Sequence, residues 1–319
     1  MVELHDLTLR DGNHAVGHRL TASDIFNYCT FAESVGIPVV EVGHGNGLGA
    51  SSLMLGEAAV SDTDALQIAR GCLRRTKLSV HVIPGLATIK RDIEPAIELG
   101  VDIFRVATHC TEASLAKTHI EYLVSRNKTV FGVLMMSAVC PVDVLVREAQ
   151  KMKSYGAHAI IIMDSSGSYL PGQVHERISR LCELGTVGFH GHNNLHLAVA
   201  NSLEAVRAGA SIIDVTTRGF GAGAGNTPLE IMSAVLGQRI ITAPFGYPSP
   251  VVEPIHILTA KHKLFSGFDK HIMKHPNVDL NSFVEKLGQL RLTAGQEDII
   301  HRVAEEIIRE SQGESAPHS

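Results

Sequence analysis

The sequence is poor in cysteine and aromatic residues, and it has no surplus of positive charge. It contains no tryptophan, five tyrosines and five cysteines among 319 residues. The cysteines are odd in number and widely spaced, with no Cys-x-x-Cys pair, which excludes a disulfide framework and indicates reduced thiols. Because 28 Lys and Arg stand against 33 Asp and Glu, for a net charge of −5, the composition argues against nucleic acid or an anionic membrane as a partner.

Long apolar runs are also absent from the sequence. Apolar runs such as 159–163 fall far below the roughly 20 residues that a membrane helix requires. The chain passes from Met1 into an alternating segment without the basic and apolar regions of a signal peptide. We therefore expect a cytoplasmic protein.

Short β-branched runs alternate with helix-sized segments along the first 250 residues. This alternation is typical of parallel β/α architecture, and eight strands are the number that closes a barrel. The predicted strands are Glu3–Leu9, Pro38–Val42, Leu78–Ile83, Asp102–Ala107, Thr129–Leu134, Ala157–Met163, Thr186–His190 and Ser211–Val215. We predict an α/β fold, a (β/α)8 TIM barrel over residues 1–250. The alternative is an open doubly wound sheet, but Arg10-Asp11-Gly12 is not the phosphate turn that follows the first strand of such a sheet.

Helix start and stop signals fall between the predicted strands. Thr21 and Ser61 are typical N-caps, and Gly36 and Gly100 follow predicted helix ends. Four prolines between 244 and 254 indicate that the chain leaves the barrel there. Apolar spacing predicts helices at 256–265, 280–287 and 296–310, so we expect a small C-terminal α-helical domain over 251–319 that ends in a disordered polar tail.

Eighteen histidines direct attention to the strand ends, where TIM barrels place their working residues. His190 and His192 lie at the end of the seventh strand, and residues two apart in a strand point to the same side. Asp11 follows the first strand, on the same flank of the barrel. Two imidazoles and one carboxylate form a facial set for Mn²⁺, Mg²⁺, Co²⁺, Fe²⁺ or Zn²⁺ with open positions, which indicates a catalytic metal. The alternative is a pair of histidines that only form hydrogen bonds at a strand end.

Three more residues at strand ends are candidates, each with an ordinary alternative. Arg10 carries a fixed positive charge that suits a developing oxyanion, or it forms a salt bridge that orients Asp11. His14 could accept a proton from a bound hydroxyl group, or it is a surface histidine. Ser165 could donate a hydrogen bond to a carboxylate ligand, or it caps a helix after Asp164.

A glycine-rich segment, 219–226, follows the eighth strand. It lacks the Lys-Ser/Thr of a P-loop, so the evidence for a phosphate site is weak. We expect its small residues to bring the backbone close to the ligand, with Asn226 starting the next helix.

Seven segments along essentially the whole chain match one family in the same order. They are TLRDGNHA at 8–15, VATHCTEA at 106–113, LMMS at 134–137, HGHNNL at 190–195, VANS at 199–202, GAGAGNTPLE at 221–230 and GQEDII at 295–300. Together they resemble the metal-dependent 4-hydroxy-2-oxovalerate aldolases, within the larger group that contains hydroxymethylglutaryl-CoA lyase and isopropylmalate synthase. The resemblance implies a TIM barrel with a C-terminal helical domain.

The resemblance also implies a reaction, the splitting of a 4-hydroxy-2-oxo acid into pyruvate or 2-oxobutyrate and an aldehyde, or the reverse. It assigns the divalent ion, commonly manganese and alternatively magnesium or cobalt, to Asp11, His190 and His192. Arg10 would hold the keto oxygen as it becomes an enolate, and Ser165 would contact the carboxylate of pyruvate. His14 would be the general base on the 4-hydroxyl group. A metal chelated by a 2-oxo acid accepts the electrons that C–C cleavage releases, so no Schiff-base lysine is needed.

Two positions depart from the family pattern. Phe265 aligns with a tyrosine whose hydroxyl reaches the active site in the family. His81 replaces a leucine of the aldehyde subsite, and strand alternation places His81 and Ile83 on one face. We hypothesise an altered aldehyde pocket, for a larger or aromatic substrate, in which His81 makes a polar contact. The alternative is a core histidine with its hydrogen bonds satisfied.

Two other functions remain as alternatives. One is an acyl-CoA lyase or synthase of the wider group, although lyases of that type carry a reactive cysteine in the glycine-rich loop and 219–226 has none. The other is a catalytically silent partner of an acylating aldehyde dehydrogenase. We expect a homo-oligomer or hetero-oligomer, but the helical segment is shorter than the family norm, which weakens the case for docking to such a dehydrogenase.

Overall fold

The computed structural model of this protein describes residues 2–237. Eight parallel strands form a closed barrel in chain order, which confirms the predicted TIM barrel. The strands are β1 Glu3–Asp6, β2 Val39–Glu41, β3 Lys77–Val82, β4 Ile103–His109, β5 Thr129–Met135, β6 Ala159–Asp164, β7 Thr186–Gly191 and β8 Ile212–Val215. The predicted boundary at residue 250, the C-terminal helices and Phe265 lie outside the described residues.

Helices connect the strands and pack around the barrel. Within residues 2–237 the α-helices are α1 Gly12–Ala15, α2 Ala22–Val35, α3 Asp62–Cys72, α4 Glu94–Glu98, α5 Lys117–Ser125, α6 Val142–Ser154, α7 Pro171–Cys182, α8 Ala198–Arg207 and α9 Leu229–Val235. Three short 3₁₀ segments, Ala113–Ala116, Ser137–Val139 and Thr217–Gly219, and a π-helical turn, Ile89–Ile93, complete the connections. Over this part of the chain, no helix has the length and apolar character needed to cross a bilayer.

The helix ends follow from local side-chain chemistry. Thr21 and Asp24 form a reciprocal capping box at the start of α2, and Gly36 ends that helix with φ at 77°. Ser61 accepts a hydrogen bond from the backbone N–H of Asp64 at the start of α3. The predicted N-caps Thr21 and Ser61 are therefore confirmed.

The first strand is shorter than predicted, and the difference matters for the site. The backbone N–H of Thr8 donates to the side chain of Asp6 at 2.9 Å, and the N–H groups of Arg10 and Asp11 both donate to the carbonyl of Leu7. These bonds turn the chain directly after β1. Asp11 therefore lies in a tight turn at the barrel mouth instead of two residues beyond an extended strand.

The barrel interior has an apolar wall and a charged wall. The apolar wall comes mainly from β4, β5 and β6, and its buried members are Val39, Ile103, Ala107, Phe131, Val133, Ala159, Ile161, Met163 and Ile212. Charged side chains from β2, β4 and β8 occupy the rest of the interior. They are Glu41, Arg105 and Asp214, each at most 2% exposed. Because buried charges are tolerated only when they are paired, this part of the core must form a network.

A buried carboxyl group on the outer side of β1 joins the barrel to α2. The hydroxyl of Tyr28 donates a hydrogen bond to Asp6 and lies 2.6 Å from Oγ1 of Thr217. Burial raises the pKa of Asp6 to about 6, against the opposing effect of hydrogen bonds from Thr8 and Tyr28. At neutral pH, folding therefore buries an ionised carboxylate that depends on its donors.

We expect Tyr28→Phe to lower the free energy of unfolding by about 2 kcal/mol at pH 7.5, because a buried carboxylate loses a donor. The folded state binds the proton of Asp6 more tightly than the unfolded chain does, so below pH 6 the carboxyl is neutral and the loss should shrink. Urea unfolding at pH 7.5 and pH 5 measures both effects. Tyr122→Phe removes a hydroxyl from a half-buried helix surface and is the control. An equal loss at both pH values would contradict this account.

Candidate metal centre

The three predicted ligands meet at the carboxyl end of the barrel. Nε2 of His190 in β7 lies 3.3 Å from Nε2 of His192 and 3.9 Å from Oδ2 of Asp11. One ligand atom from each residue lies within 4.8 Å of the others, and all three side chains are buried. Two imidazole nitrogens and one carboxylate oxygen can therefore bind one ion together. This is the donor set of divalent metals such as manganese, iron, cobalt and zinc, and three protein ligands leave positions open for a substrate.

Asp214 in β8 orients the first imidazole. Its Oδ2 lies 3.0 Å from Nδ1 of His190. Burial alone would raise the pKa of Asp214, but the charge of Arg105 and the contact with His190 lower it well below its usual range. An ionised carboxylate only accepts hydrogen bonds, so Nδ1 of His190 must donate, and Nε2 keeps its lone pair for the ion.

Asp11 is held by three donors. Oδ2 accepts from Nη1 of Arg10 at 2.7 Å, and Oδ1 accepts from the backbone N–H of Ala222 at 2.9 Å and from Nδ2 of Asn226 at 2.8 Å. Burial opposes ionisation, but the charge of the neighbouring Arg10 and the hydrogen bond from the backbone N–H of Ala222 lower the pKa of Asp11 far below its usual value. The carboxylate is therefore ionised and fixed in orientation before an ion arrives.

The ion pairs continue from Asp11 around the barrel interior. Nε of Arg10 donates to Oε1 of Glu41 at 2.6 Å, and Oε2 of Glu41 lies 3.3 Å from Nε of Arg105. Arg105 then forms a two-fold contact with Asp214. We call this set the charge ring, and its members in order are Asp11, Arg10, Glu41, Arg105, Asp214 and His190.

The charge ring gives the site a negative potential. Three carboxylates and two guanidinium groups leave one net negative charge beside the two imidazoles. Burial and the neighbouring His190 lower the pKa of His192 to about 4. The imidazole of His192 is therefore neutral at pH 7, and its lone pair is available. The residues present therefore fit a divalent metal.

His14 lies at the edge of this centre on α1 and is half-buried. Its ring covers Gly45, where an added Cβ would come within 2.6 Å of three ring atoms. Burial lowers the pKa of His14, with the charge of Asp11 acting in the opposite direction, so the imidazole is neutral at pH 7.

Ser165 follows β6 on the opposite side of the mouth. Its Oγ accepts a hydrogen bond from the backbone N–H of Met136 at 2.9 Å. It does not cap a helix, since α7 starts six residues later at Pro171, so that alternative was wrong. With the oxygen already accepting from Met136, the hydroxyl hydrogen is free to point elsewhere.

His81 and Ile83 both face the interior, as strand alternation predicted. His81 is 2% exposed, and its Nδ1 has no hydrogen-bond partner within residues 2–237. Burial and the charges of Arg10 and Arg105 lower the pKa of His81 well below its usual value. Ile83 is partly buried against the apolar wall. His81 is therefore not a core histidine with both nitrogens satisfied.

Sequence reasoning missed four residues of the centre, and it misplaced one of them. Glu41, Arg105 and Asp214 were assigned no role, although a charged residue inside the runs Ile103-Phe-Arg-Val106 and Ile212-Ile-Asp-Val215 signals a buried pair. Asn226 was expected to start a helix, but α9 starts at Leu229. Its side chain instead binds Asp11.

The glycine-rich segment lies against Asp11. A Cβ on Gly221 would come within 2.5 Å of Oδ1 of Asp11 and would also overlap Nδ2 of Asn226. The absence of a side chain therefore lets the loop donate the N–H of Ala222 to the carboxylate. The predicted close approach of this backbone to a bound ligand stays a prediction, whereas its close approach to Asp11 is observed.

We expect Gly221→Ala to lower affinity for Mn²⁺ at least tenfold, because the new methyl group must displace the carboxylate of Asp11 or the side chain of Asn226. Isothermal titration of the metal-free protein measures this. The control is Gly172→Ala in α7, where nothing lies within 4 Å of the new methyl group. Affinity equal to that of the parent would show that the loop does not hold Asp11.

Comparisons with known proteins agree with this geometry. The family model HMGL-like matches residues 1–245. The chain is 50% identical to a 4-hydroxy-2-oxovalerate aldolase of Spirochaeta aurantia over 96% of each chain. It is 47% identical to one of Pectobacterium atrosepticum, over 97% of this chain and 96% of the relative.

Solved structures share the fold at low sequence identity. The HMG-CoA lyase of Bacillus subtilis superposes with a TM-score of 0.65 at 17% identity, over 82% of this chain and 94% of that chain. The carboxyl transferase domain of Rhizobium etli pyruvate carboxylase gives 0.69 at 16% identity, over 98% of this chain and 61% of that chain. From the family model and the full-length relatives, the chain belongs to the HMGL-like family and, within it, to the 4-hydroxy-2-oxovalerate aldolases.

Proposed function

We propose that this protein is a divalent-metal aldolase that splits 4-hydroxy-2-oxo acids into a 2-oxo acid and an aldehyde, or joins them. Pyruvate and 2-oxobutyrate are the candidate 2-oxo acids, and Mn²⁺ is the proposed ion, with Mg²⁺ and Co²⁺ as alternatives. The observation that carries the proposal is the meeting of Asp11, His190 and His192 in one buried cluster, in which Arg10 contacts Asp11. The names of the full-length relatives support it.

Asp11, His190 and His192 would hold the divalent ion, which would provide Lewis acidity toward the keto group of the substrate. Arg10 then holds the keto oxygen as it gains negative charge. Its Nε and Nη1 are occupied by Glu41, Asp11 and the carbonyl of Gly45, whereas Nη2 is buried and has no partner within residues 2–237. A guanidinium remains charged at any working pH, so this donor is available for an oxyanion.

His14 acts as the general base for cleavage. It takes the proton of the 4-hydroxyl group, the C3–C4 bond breaks, the aldehyde carbonyl forms, and the electron pair moves onto the enolate oxygen beside Arg10. A proton then returns to C3 and completes the 2-oxo acid. Since the pKa of His14 is lowered by burial, the ring starts in the neutral form that this step requires.

Ser165 binds the carboxylate of the 2-oxo acid in this proposal. Oγ of Ser165 already accepts a hydrogen bond from the backbone N–H of Met136, so the hydroxyl hydrogen can donate to a substrate oxygen. His81 and Ile83 line the aldehyde side of the pocket, and Nδ1 of His81 offers a polar contact there. Phe265, the other residue predicted to touch substrate, lies outside the described residues.

The location and partners of the enzyme are part of the same proposal. All five cysteines are unpaired, which suits the reducing cytoplasm. Cleavage releases a reactive aldehyde, so a partner that consumes aldehydes, such as an acylating aldehyde dehydrogenase, fits the chemistry, as does assembly into a homo-oligomer or hetero-oligomer. The acyl-CoA alternative gains no support, because the loop at 219–226 lacks a cysteine.

We expect the protein to release pyruvate from 4-hydroxy-2-oxovalerate with added Mn²⁺, and to lose activity with a chelator and regain it with metal. Arg10→Ala should lower kcat about 10²–10³-fold at saturating Mn²⁺, because it removes a contact with the oxyanion. The three ligands remain, but Mn²⁺ should bind more weakly, because Asp11 loses its hydrogen bond from Arg10. A coupled assay of pyruvate measures both. Arg180→Ala, on the exposed face of α7, is the control. Undiminished activity of Arg10→Ala would exclude its role, and metal-independent cleavage would exclude the proposed function.

We expect His81→Leu to change aldehyde preference, because it replaces a buried polar contact with an apolar surface. The ratio of kcat/KM for hydroxylated or aromatic aldehydes to that for acetaldehyde should fall about tenfold in the condensation direction. A panel of aldehydes with pyruvate and 2-oxobutyrate measures this. His175→Leu, exposed on α7, is the control. The same preference and rate in His81→Leu and the parent would remove His81 from the account.

A further inference from the structure

Two further histidines lie next to His14, on the loops after β1 and β2. The rings of His18 and His44 are stacked, with centroids 3.6 Å apart and planes 18° apart. His18 also meets His14 at a steep angle of 67°, with centroids 5.2 Å apart. Both are buried, at 7% and 1% exposure. We call His18 and His44 the imidazole stack.

The backbone of His18 is in a conformation that a residue with a side chain rarely adopts. Its φ is 61°, in the left-handed region. Its N–H donates to the carbonyl of Asn13 at 2.7 Å, and its carbonyl accepts from the N–H of Ala59 at 2.9 Å. Such a conformation persists only where the surroundings enforce it, and it is concentrated at functional sites. The fold therefore holds the imidazole of His18 in place at a cost in backbone conformational energy.

The backbone of Gly45 connects the imidazole stack to the proposed reacting groups. Its N–H points to Nδ1 of His18 at 3.4 Å, and its carbonyl accepts from Nη1 of Arg10 at 3.3 Å. The ring of His14 covers its Cα. The backbone of one residue, Gly45, thus contacts the proposed base, the proposed oxyanion partner and the stack.

The stack supports His14 without adding charge. Nδ1 of His44 accepts from the N–H of Asn46 at 3.1 Å, so Nε2 must donate to the carbonyl of Gly56 at 3.0 Å. Burial and the neighbouring His44 lower the pKa of His18 to about 4. Both rings are therefore neutral at pH 7.

We propose that His18 is a positioning residue for His14. Backed by His44 and joined to Gly45, it fixes the orientation in which the ring of His14 faces the 4-hydroxyl group of the substrate. A general base must lie within hydrogen-bond reach of its proton, and small displacements cost large factors in rate. This inference rests on the proposed function, in which His14 is the base.

His18→Asn tests the proposal, because asparagine tolerates a positive φ but lacks the ring. We expect kcat for cleavage of 4-hydroxy-2-oxovalerate to fall about tenfold or more, with KM and Mn²⁺ affinity within about twofold of the parent. Oxaloacetate provides a second readout, since loss of its C4 carboxyl group as CO₂ leaves the same pyruvate enolate with no hydroxyl to deprotonate. Its decarboxylation should therefore be unchanged.

His196→Asn is a matched control, because His196 has a φ of 57° but is exposed on the loop after β7. It should equal the parent in every assay. A double-mutant cycle gives the sharpest result: if His18 acts through His14, then His18→Asn should have no further effect in a His14→Ala background.

Three results would overturn the proposal. The first is a parent-like kcat for cleavage in His18→Asn. The second is a loss of Mn²⁺ affinity or of oxaloacetate decarboxylation in His18→Asn that is as large as its loss of cleavage. The third is a cleavage rate in the His14→Ala, His18→Asn double variant that shows the sum of the two single losses. If the parent itself fails to cleave 4-hydroxy-2-oxo acids, the proposed function fails first. An active parent with an unaffected His18→Asn variant rejects only the role of His18.

Discussion

A buried ring of alternating charges determines how the metal centre is built. Asp11 and His190 come from opposite ends of the described chain, and the ion pairs through Arg10, Glu41 and Arg105 to Asp214 connect them inside the barrel. Buried ions are stable only with partners, so each member constrains the next. The charge ring therefore fixes the carboxylate oxygen and the imidazole nitrogen in place before any ion binds.

Two close backbone approaches couple this ring to the loops at the barrel mouth. Gly221 lets the loop after β8 reach Asp11, and Gly45 lets the loop after β2 lie against His14. The loop after β8 therefore contacts the proposed metal ligand Asp11, and the loop after β2 contacts the proposed base His14. The fold places the proposed metal ligands, oxyanion partner and base at the carboxyl ends of β1 and β7, against the loops after β2 and β8, while β4 to β6 supply most of the apolar wall. The charged and polar groups of the centre are therefore separated from the apolar wall of the barrel, against which the rest of a substrate can pack.

Local patterns were sufficient to predict the barrel and the residues of its mouth. The spacing of β-branched runs predicted eight strands, and strand alternation placed His190 and His192 on one side. The charge ring could not be predicted, because it depends on which strands face each other across the interior. A single charged residue such as Arg105 within an apolar run shows that a partner exists, but only the closed barrel brings Asp214 and Glu41 to it.

Turns caused the remaining errors. The first strand ends early because Asp6 accepts the N–H of Thr8, a bond that propensity does not reveal. Asn226 looks like a helix start, yet its amide is used by Asp11 and the helix begins at Leu229. In both places a polar side chain bonds to a tertiary or turn partner that overrides the local pattern.

The most direct test of the central claim is anomalous X-ray scattering at the manganese edge from crystals grown with Mn²⁺. We expect one strong peak within coordination distance of Oδ2 of Asp11 and Nε2 of both His190 and His192, with Nδ1 of His190 still bonded to Asp214. A peak bound by other residues, or no peak at this position under saturating Mn²⁺, would contradict it.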